Sequence, residues 1–311
     1  MKIGLIDVDG HNYPNLPLMK VSAYHKARGD SVEWYDTMFS GHMDRVYVSK
    51  IFSFTPDYER FIDADEVIYG GSGYCIRLEN GKEVYDQTKD KPLPPEIEHF
   101  MPDYSLYGIT DTAYGFLTRG CPNNCGFCHV CAKEGRCSHK VADLGEWRDG
   151  QKNITLCDPN ILACREHMEL LEQLARSGAW VDINQGLDAR LLTPQNIEVL
   201  KRIKIKEIHF AWDQMKNSKR IIRGLNTWKR FGKKDRHGSW GTVYVLTNFD
   251  TTMGENLFRI YKLDRMGFTP YVMIYDKEHA PQEVRYLQRW CNNKAIFRSC
   301  PRFEDYDARR G

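Results

Sequence analysis

The sequence has no long apolar run and almost no net charge. No stretch approaches the roughly 20 apolar residues that a membrane-spanning helix requires. Lysine and arginine together number 44, against 42 aspartates and glutamates, which gives a net charge of +2. Such a small charge excludes a global electrostatic attraction to nucleic acid or membrane, so any binding of that kind has to be local.

The N-terminus also lacks the features of a signal peptide. Residues 1–7 lead directly into a strand-like run that ends in acids, where a signal peptide has a long apolar core. We therefore predict a cytoplasmic protein with no membrane partner. Disulfides are a poor explanation for ten cysteines in a reducing compartment, and metal binding, catalysis or simple burial explains them better.

Internal repeats and low-complexity tracts are absent as well, which excludes a repeat architecture. The chain has 311 residues and a mass of 36.3 kDa. That length suffices for one large α/β domain or for two smaller ones, each with its own core.

The strongest chemical signal lies in residues 121–128, Cys-Pro-Asn-Asn-Cys-Gly-Phe-Cys. Small and turn-forming residues separate the three thiols, which favours a loop around a metal centre over a helix or strand. One alternative is zinc, with Cys131, Cys137 or His139 as its fourth ligand. The other is an iron–sulfur cluster. The same three residues are also candidates for a second metal site.

In the first 95 residues, strands alternate with helical or loop segments. We predict strands at 2–8, 31–35, 45–52 and 66–69, and a helix at 16–28. This pattern indicates a small parallel sheet with ligand-facing loops at the carboxyl ends of its strands. The turn at 9–11 and the glycine-rich turn at 70–73 both fall at such ends. Prolines at 92–95 interrupt the alternation, and residues 96–112 are predicted to form a bridging segment.

The alternation resumes at residue 113. Six strands are predicted, at 114–118, 153–157, 180–183, 207–211, 242–246 and 270–274, with a helix at 160–177 after the second strand. Polar residues follow each strand, and the cysteine loop follows the first. A barrel-like parallel sheet collects the carboxyl ends of its strands on one rim, where such folds place their chemistry.

A cysteine loop of this spacing after the first of six strands, with Phe127 just before the last cysteine, resembles the radical S-adenosylmethionine superfamily. Thr-Arg-Gly-Cys-Pro at 118–122 strengthens the resemblance. Residues 1–95 resemble the cobalamin-binding domain that precedes the barrel in one large branch. The resemblance implies an α/β protein, in which a truncated Rossmann-like parallel sheet (1–95) and a bridging segment (96–112) precede a partial (β/α)6 TIM-type barrel with a C-terminal extension (113–311).

The resemblance also implies an enzyme and its cofactors. Cys121, Cys125 and Cys128 would bind three irons of a [4Fe-4S] cluster and leave the fourth iron open to S-adenosylmethionine. One electron would cleave this cofactor to methionine and a 5′-deoxyadenosyl radical, which abstracts a hydrogen from the substrate. A donor such as flavodoxin or ferredoxin would supply the electron. The substrate stays open among RNA or nucleotides, peptides and small molecules.

In this family, contacts to S-adenosylmethionine come from residues after the later strands. Asp158 is expected to accept a hydrogen bond from the methionyl ammonium, and its alternative role is a helix N-cap. Asp213 is expected at the ribose and Asn248 near the adenine. Further contacts at the same rim are expected from Asn160, Gln185, Asp188 and Arg190.

The first domain resembles cobalamin-dependent proteins at one loop. Those proteins have Asp-x-His-x-x-Gly after the first strand, and here Asp9 and His11 match while Pro14 replaces the glycine. We expect a shortened domain that acts as a lid or substrate platform, with cobalamin binding as the alternative. Candidate substrate contacts at the barrel mouth are then Asp7, Asp9, His11 and Ser72.

One local run of positive charge extends from Lys216 to His237. It contains nine lysines and arginines with Asp235 as its only acid, interleaved with Trp228 and Phe231. Basic residues with aromatics can bind a phosphate backbone and stack on bases, which makes RNA a candidate partner. A solvated outer helix is the alternative. A non-enzymatic, zinc-stabilised nucleic-acid-binding protein is therefore the competing function.

Overall fold

The computed structural model describes residues 1–79, 82–235 and 238–308. They form a mixed α/β structure with several parallel sheets. The first sheet has the order β2-β1-β3-β4 and is parallel throughout, with strands β1 (Lys2–Asp7), β2 (Ser31–Trp34), β3 (Met43–Ser49) and β4 (Ala64–Gly70). The four strands and the helix predicted for this region are all present.

Helix α1 (Leu16–Ala27) covers one face of this sheet. Asn15 begins the helix, because its side chain accepts the Leu18 amide at 3.2 Å. Leu18 and Val21 pack against Ile3 and Leu5 of β1, all at most 2% exposed. The antiparallel hairpin β5 (Ile76–Glu79) and β6 (Lys82–Tyr85) follows β4, and the short helix α2 (Pro95–Glu98) follows the hairpin.

In the described part of residues 112–308, seven parallel strands form two groups. The first group has the order β12-β11-β10-β7, and the second has the order β13-β14-β15. A parallel bridge between Leu187 and Phe210 connects the groups, so the strands that correspond to the six predictions lie side by side in chain order. Their bounds are β7 (Thr112–Gly115), β10 (Asn153–Leu156), β11 (Trp180–Ile183), β12 (Lys204–Ile205), β13 (His209–Ala211), β14 (Thr242–Thr247) and β15 (Thr269–Ile274).

Helices α4 (His167–Arg176), α5 (Pro194–Arg202), α6 (Ser218–Phe231) and α7 (Met253–Arg265) lie between these strands and bury one face against the core. Helices α8 (Gln282–Asn292) and α9 (Lys294–Ser299) follow the last strand. The strands alternate in the same way: Val243 and Val245 of β14 are fully buried, while Tyr244 between them is half-buried. Alternate residues of the strands therefore leave the helix-covered core and face a second, more open side.

The helix predicted at 160–177 is wrong in its first half. A 3₁₀ turn (Ile161–Ala163) comes first, and α4 begins only at His167. Cys164 separates the two because its backbone is extended, at φ −72° and ψ 140°. The side chain of Asp158 was expected to start this helix, but it is hydrogen-bonded to the preceding strand region. No helix in the part of the chain that the structure describes is long and apolar enough to cross a membrane.

Helix α6 lies so close to its neighbour that only glycine fits at one position. A Cβ at Gly224 would overlap the carbonyl oxygen of Ala189. We expect Gly224→Ala to destabilise the protein by about 1 to 3 kcal/mol, because either the helix or the 189–191 turn has to move. Gly254→Ala in α7 is the matched control: its Cβ meets nothing within 4 Å, so helix propensity should stabilise it by up to about 1 kcal/mol. Chemical denaturation measures both, and equal effects would contradict this packing.

Candidate functional site

The three cysteines lie in an irregular loop at 121–128, as predicted. The short strand β8 (Thr118–Arg119) precedes the loop, helix α3 (Val130–Glu134) follows it, and β9 (His139–Lys140) pairs antiparallel with β8. A turn forms the second half of the loop, since the Cys128 amide donates to the Cys125 carbonyl at 3.1 Å. Cys121 and Cys125 are half-buried, and Cys128 is exposed.

Glu134, at the end of α3, fixes the start of this loop. Its carboxylate accepts the Gly120 amide at 3.0 Å and pairs with the Arg119 guanidinium at 2.7 Å. Gly120 has a φ of +81°, and a Cβ there would overlap the Cys137 carbonyl, so glycine is required. Sequence reasoning missed Glu134, because an acid on a short helix has no signature that separates it from a surface charge.

Asp158 holds the end of the strand region that leads into the loop. Its carboxylate is 1% exposed and accepts the Leu117 amide at 2.7 Å, the Thr118 amide at 2.8 Å and the Thr118 hydroxyl at 2.7 Å. Burial raises the pKa of Asp158 to about 7, and these hydrogen bonds oppose the rise. Both carboxylate oxygens are thus occupied, which makes Asp158 a positioning residue, neither a free cofactor contact nor a helix N-cap.

The thiols of the loop interact electrostatically. Burial raises the pKa of the Cys125 thiol to about 11, and the nearby Cys128, Asp213 and Cys121 raise it further, while Arg190 lowers it. Burial also raises the pKa of Cys128. Because the thiolate is the form that binds metals, a cation near Cys125 and Cys128 would offset the effect of burial and favour their thiolate forms. The loop is a place where positive charge is stabilising.

By chemical type, three thiols suit a metal–thiolate group. Among residues 1–79, 82–235 and 238–308, no three His, Cys, Asp or Glu side chains already surround one point as ligands. The Asn160 amide nitrogen lies 3.6 Å from the Cys121 sulfur, and the Asn160 oxygen is buried without a hydrogen-bond partner. A hydrogen bond to sulfur of this kind tunes metal–thiolate sites. Closure of the loop would have to bring the three sulfurs together.

Asp188 and Arg190 form an ion pair beside the loop, following β11. Two hydrogen bonds join them, at 2.8 and 2.6 Å. Although burial opposes it, the hydrogen bonds from Arg190 lower the pKa of Asp188. Asn123 of the cysteine loop also donates to Asp188, at 3.0 Å. Gln185 is exposed and has no hydrogen-bond partner among the described residues.

Asp213 follows β13 and faces the thiols. Burial raises the pKa of its carboxyl to about 6, and Arg259 opposes the rise. Arg259 is fully buried and donates to the carbonyls of Trp212 at 2.6 Å, Asp213 at 3.0 Å and Leu246 at 2.8 Å. It thereby fixes the ends of β13 and β14. Sequence reasoning missed Arg259, because an arginine in a helix resembles an ordinary surface residue.

Aromatic rings cover the cysteine loop on one side. Asn248 and Phe249 follow β14, and Asn248 adopts φ 61° and donates to the Tyr275 carbonyl at 2.8 Å. This turn brings the Phe249 ring edge-on to Phe127, with centroids 5.4 Å apart, and edge-on to Tyr275 at 4.9 Å. A Cβ at Gly126 would lie 3.3 Å from the Phe249 ring. Sequence reasoning missed Phe249, because in the sequence it resembles any other residue that follows a strand.

The candidate substrate residues of the first sheet are engaged locally. The Asp7 carboxylate accepts the Tyr107 hydroxyl at 2.6 Å, and burial raises its pKa. His11 is exposed and stacks on Trp34 with centroids 4.2 Å apart. These contacts tie the end of β1 to the bridging segment.

Asp9 and Ser72 organise the turn after β3. Asp9 accepts the Ile51 amide at 2.5 Å and the Thr55 hydroxyl at 2.7 Å, and Ser72 donates to the Ile51 carbonyl at 3.1 Å. Ser72 also lines a cavity of about 770 Å³ that Arg119 and Glu134 border on the opposite side. The first sheet therefore shares a cavity with the residues that hold the cysteine loop.

The candidates for a second metal or for a fourth zinc ligand each contact backbone. Cys131 donates to the Cys121 carbonyl at 2.9 Å, Cys137 to the Ser138 carbonyl at 3.7 Å, and His139 contacts the Cys137 carbonyl at 3.1 Å. None of the three completes a ligand group with the loop among the described residues.

The basic segment at 216–237 forms the outer part of α6 and the turn after it, although residues 236 and 237 lie outside the described residues. Trp228 was expected to be available for base stacking, and that is wrong: it is 1% exposed and donates to the Trp240 carbonyl at 2.8 Å. Phe231 is partly buried, with the Arg230 guanidinium 5.1 Å from its ring centre. Within this segment, only the lysines and arginines remain available to bind RNA.

Comparisons with known proteins identify no family for this chain. No family model matches the chain, and no curated protein has a significant match to it.

The Asp158 contacts can be tested by an isosteric change. Above pH 7, Asp158→Asn should destabilise the protein by about 1 to 3 kcal/mol, because the NH2 group that replaces one carboxylate oxygen cannot accept a hydrogen bond from a backbone amide or a hydroxyl. Asp182→Asn is the control, since one oxygen of Asp182 is buried without any donor and burial raises its pKa. Thermal unfolding distinguishes the two, and a loss confined to Asp182→Asn would contradict the role given to Asp158.

Proposed function

We propose that the protein is a radical S-adenosylmethionine enzyme in which Cys121, Cys125 and Cys128 bind a [4Fe-4S] cluster. One observation supports this most: three electrostatically coupled thiols lie in a loop at the carboxyl end of the first of six parallel strands in chain order. Three thiolates leave one iron of such a cluster without a protein ligand. A zinc site would need a fourth ligand, and its candidates Cys131, Cys137 and His139 contact backbone carbonyls instead.

The six strands would form the partial (β/α)6 barrel of this superfamily. Support comes from the parallel order of the strands, from the helices on one face and from the half-buried residues on the other. In such a barrel, the loops after the strands share one rim. The residues that follow the first five strands are the ones gathered around the cysteine loop here, namely Asn123, Asn160, Asp188, Asp213 and Phe249.

The chemistry that the cluster supplies when bound is a one-electron reduction of S-adenosylmethionine. An external donor such as flavodoxin or ferredoxin would deliver the electron. The chain's own residues position the cofactor and exclude water. Asp213 accepts a hydrogen bond from the Leu246 backbone, and its remaining lone pairs would accept from the ribose hydroxyls. Arg190 pairs with Asp188 and lies within electrostatic range of Cys121 and Cys125, where it stabilises thiolate charge.

Phe127 and Phe249 would act as an apolar cover. Phe249 lies against Gly126, and the pair of rings would limit the access of water to the half-buried Cys125, while Cys128 is exposed. A dry site strengthens the electrostatic contacts within it and protects a reactive intermediate. The first sheet, which shares the large cavity with Arg119 and Glu134, would form the substrate-side wall, and cobalamin binding there stays the alternative.

Iron analysis tests the cluster. Protein purified without oxygen should be brown and contain about four irons and four sulfides per chain. Cys125→Ser should lose most of the iron, because each of the three thiolates is required. Cys137→Ala serves as the control, since its thiol is exposed and outside the ligand set. A colourless protein with stoichiometric zinc would contradict the proposal, as would equal iron in Cys125→Ser and the parent.

Cofactor affinity tests Asp213. In reconstituted protein, Asp213→Asn should weaken S-adenosylmethionine binding about 10- to 100-fold, because charge-assisted hydrogen bonds to the ribose are lost. Asp250→Asn is the control: Asp250 is exposed on the next rim loop, and asparagine accepts its φ of 49°. Isothermal titration calorimetry gives the affinities, and an unchanged affinity in Asp213→Asn would remove this residue from the cofactor site.

A further inference from the structure

The outer face of α6 bears cations that no acid neutralises. Lys219, Arg220 and Arg223 lie on this face, and Lys216 lies in the 3₁₀ turn (Met215–Asn217) just before the helix. All four are exposed, and none has an ion-pair partner among the described residues. The first turn of α6 contains no acid. Like charges three and four residues apart repel one another, and cations near a helix N-terminus oppose its dipole. This arrangement weakens the isolated helix and favours an anionic partner.

Two cavities border α6 and share it as a wall. The first, of about 360 Å³, is lined by Arg165, His167 and Arg220 and reaches Pro122 and Asn123 of the cysteine loop. An anion bound by these unpaired arginines would therefore lie beside the cysteine loop.

The second cavity, of about 430 Å³, extends the cationic surface away from the loop. Its lining includes Lys219, Arg223 and Arg230 together with the polar side chains Asn226 and Thr227. From Lys219 to Arg230 the helix advances about 16 Å, a length that faces several consecutive phosphates of a nucleic-acid strand. A single phosphate or a small metabolite would leave most of these cations unpaired.

The buried side of α6 keeps this surface fixed relative to the cysteine loop. Ile221, Leu225 and Trp228 are at most 4% exposed, and Gly224 lies against the Ala189 carbonyl, one residue from Arg190. The cations therefore project from a helix packed against the loop that contains Asp188 and Arg190. A nucleic-acid strand bound along α6 would therefore lie at a fixed distance from the cysteine loop.

We propose that Lys216, Lys219, Arg220 and Arg223, continued by Arg165 and Arg230, bind the phosphate backbone of a nucleic acid and direct one of its nucleotides to the cysteine loop. This inference rests on the proposed function, and it names nucleic acid as the substrate class of that site. Peptide and small-molecule substrates would not use an unpaired cationic surface of this length. Because Trp228 is buried, recognition here is through charge and is independent of base stacking.

Binding of a labelled, mixed-sequence 20-nucleotide RNA to the purified chain tests the proposal by fluorescence anisotropy. A variant with Lys216, Lys219, Arg220 and Arg223 each changed to Gln should bind at least about 10-fold more weakly, and its log–log salt slope should fall by up to about 3, at about 0.7 per phosphate contact. The control variant changes Lys152, Arg265, Lys294 and Arg298 to Gln, which removes the same charge from exposed positions elsewhere. Equal losses in the two variants would overturn the proposal.

Two further measurements keep the test decisive. Displacement of the RNA by polyglutamate at equal charge concentration would show a general anion surface and overturn the assignment to nucleic acid. A photo-crosslinking amino acid at Asn226, with all cations kept, should crosslink to the RNA, and one at Lys294 should not; the reverse would overturn it. Iron content is measured on the same samples. RNA binding without iron would contradict only the proposed enzyme, and iron without RNA binding would contradict only this inference.

Discussion

The buried carboxylate of Asp158 determines where the cysteine loop begins. It accepts three hydrogen bonds from Leu117 and Thr118, and its own backbone follows β10, so it joins the ends of two neighbouring strands. Without these bonds, two backbone amides would be buried without acceptors, at a cost of about 1 to 3 kcal/mol each. The Glu134 carboxylate then fixes Gly120, two residues further along. Two buried or half-buried acids therefore define the geometry of a loop whose own backbone is irregular.

Charge compensation at the rim depends on two arginines in different environments. Arg190 is half-buried and already paired with Asp188, so its net effect on the thiols is modest. Arg259 is fully buried, where burial lowers its pKa to about 10 and Asp213 opposes the fall. Its hydrogen bonds to three carbonyls commit the guanidinium to the ends of β13 and β14. Both guanidiniums are therefore committed to partners other than the thiols.

The sequence was sufficient for the elements that depend on local periodicity and turn residues. The strands near 2–8 and 180–183 and the helix at 16–28 follow from alternating apolar residues, from Asn15 and from Gly29. The prediction of a helix at 160–177 failed in its first half because the backbone is extended at Cys164. Periodicity does not report such a break. Asp158 was placed at the rim correctly, but its partners lie 40 residues away in sequence, where no local rule applies.

The cysteine loop was predictable from the sequence, and the tertiary contacts around it were not. Its three closely spaced cysteines predict a metal site, and that site stays a prediction. Glu134, Phe249 and Arg259 act through tertiary contacts, and in sequence each resembles an ordinary surface or rim residue. Trp228 shows the opposite error, since an aromatic among lysines and arginines suggested stacking but forms part of the core.

The central claim is that three thiolates hold a cluster with one iron open to S-adenosylmethionine. Electron paramagnetic resonance of the chemically reduced protein, recorded with and without S-adenosylmethionine, tests it most directly. The account predicts a reduced [4Fe-4S] signal whose shape changes when the cofactor is added, because the cofactor occupies the open iron. A signal that is the same with and without the cofactor, or no iron signal in protein that retains zinc, would contradict it.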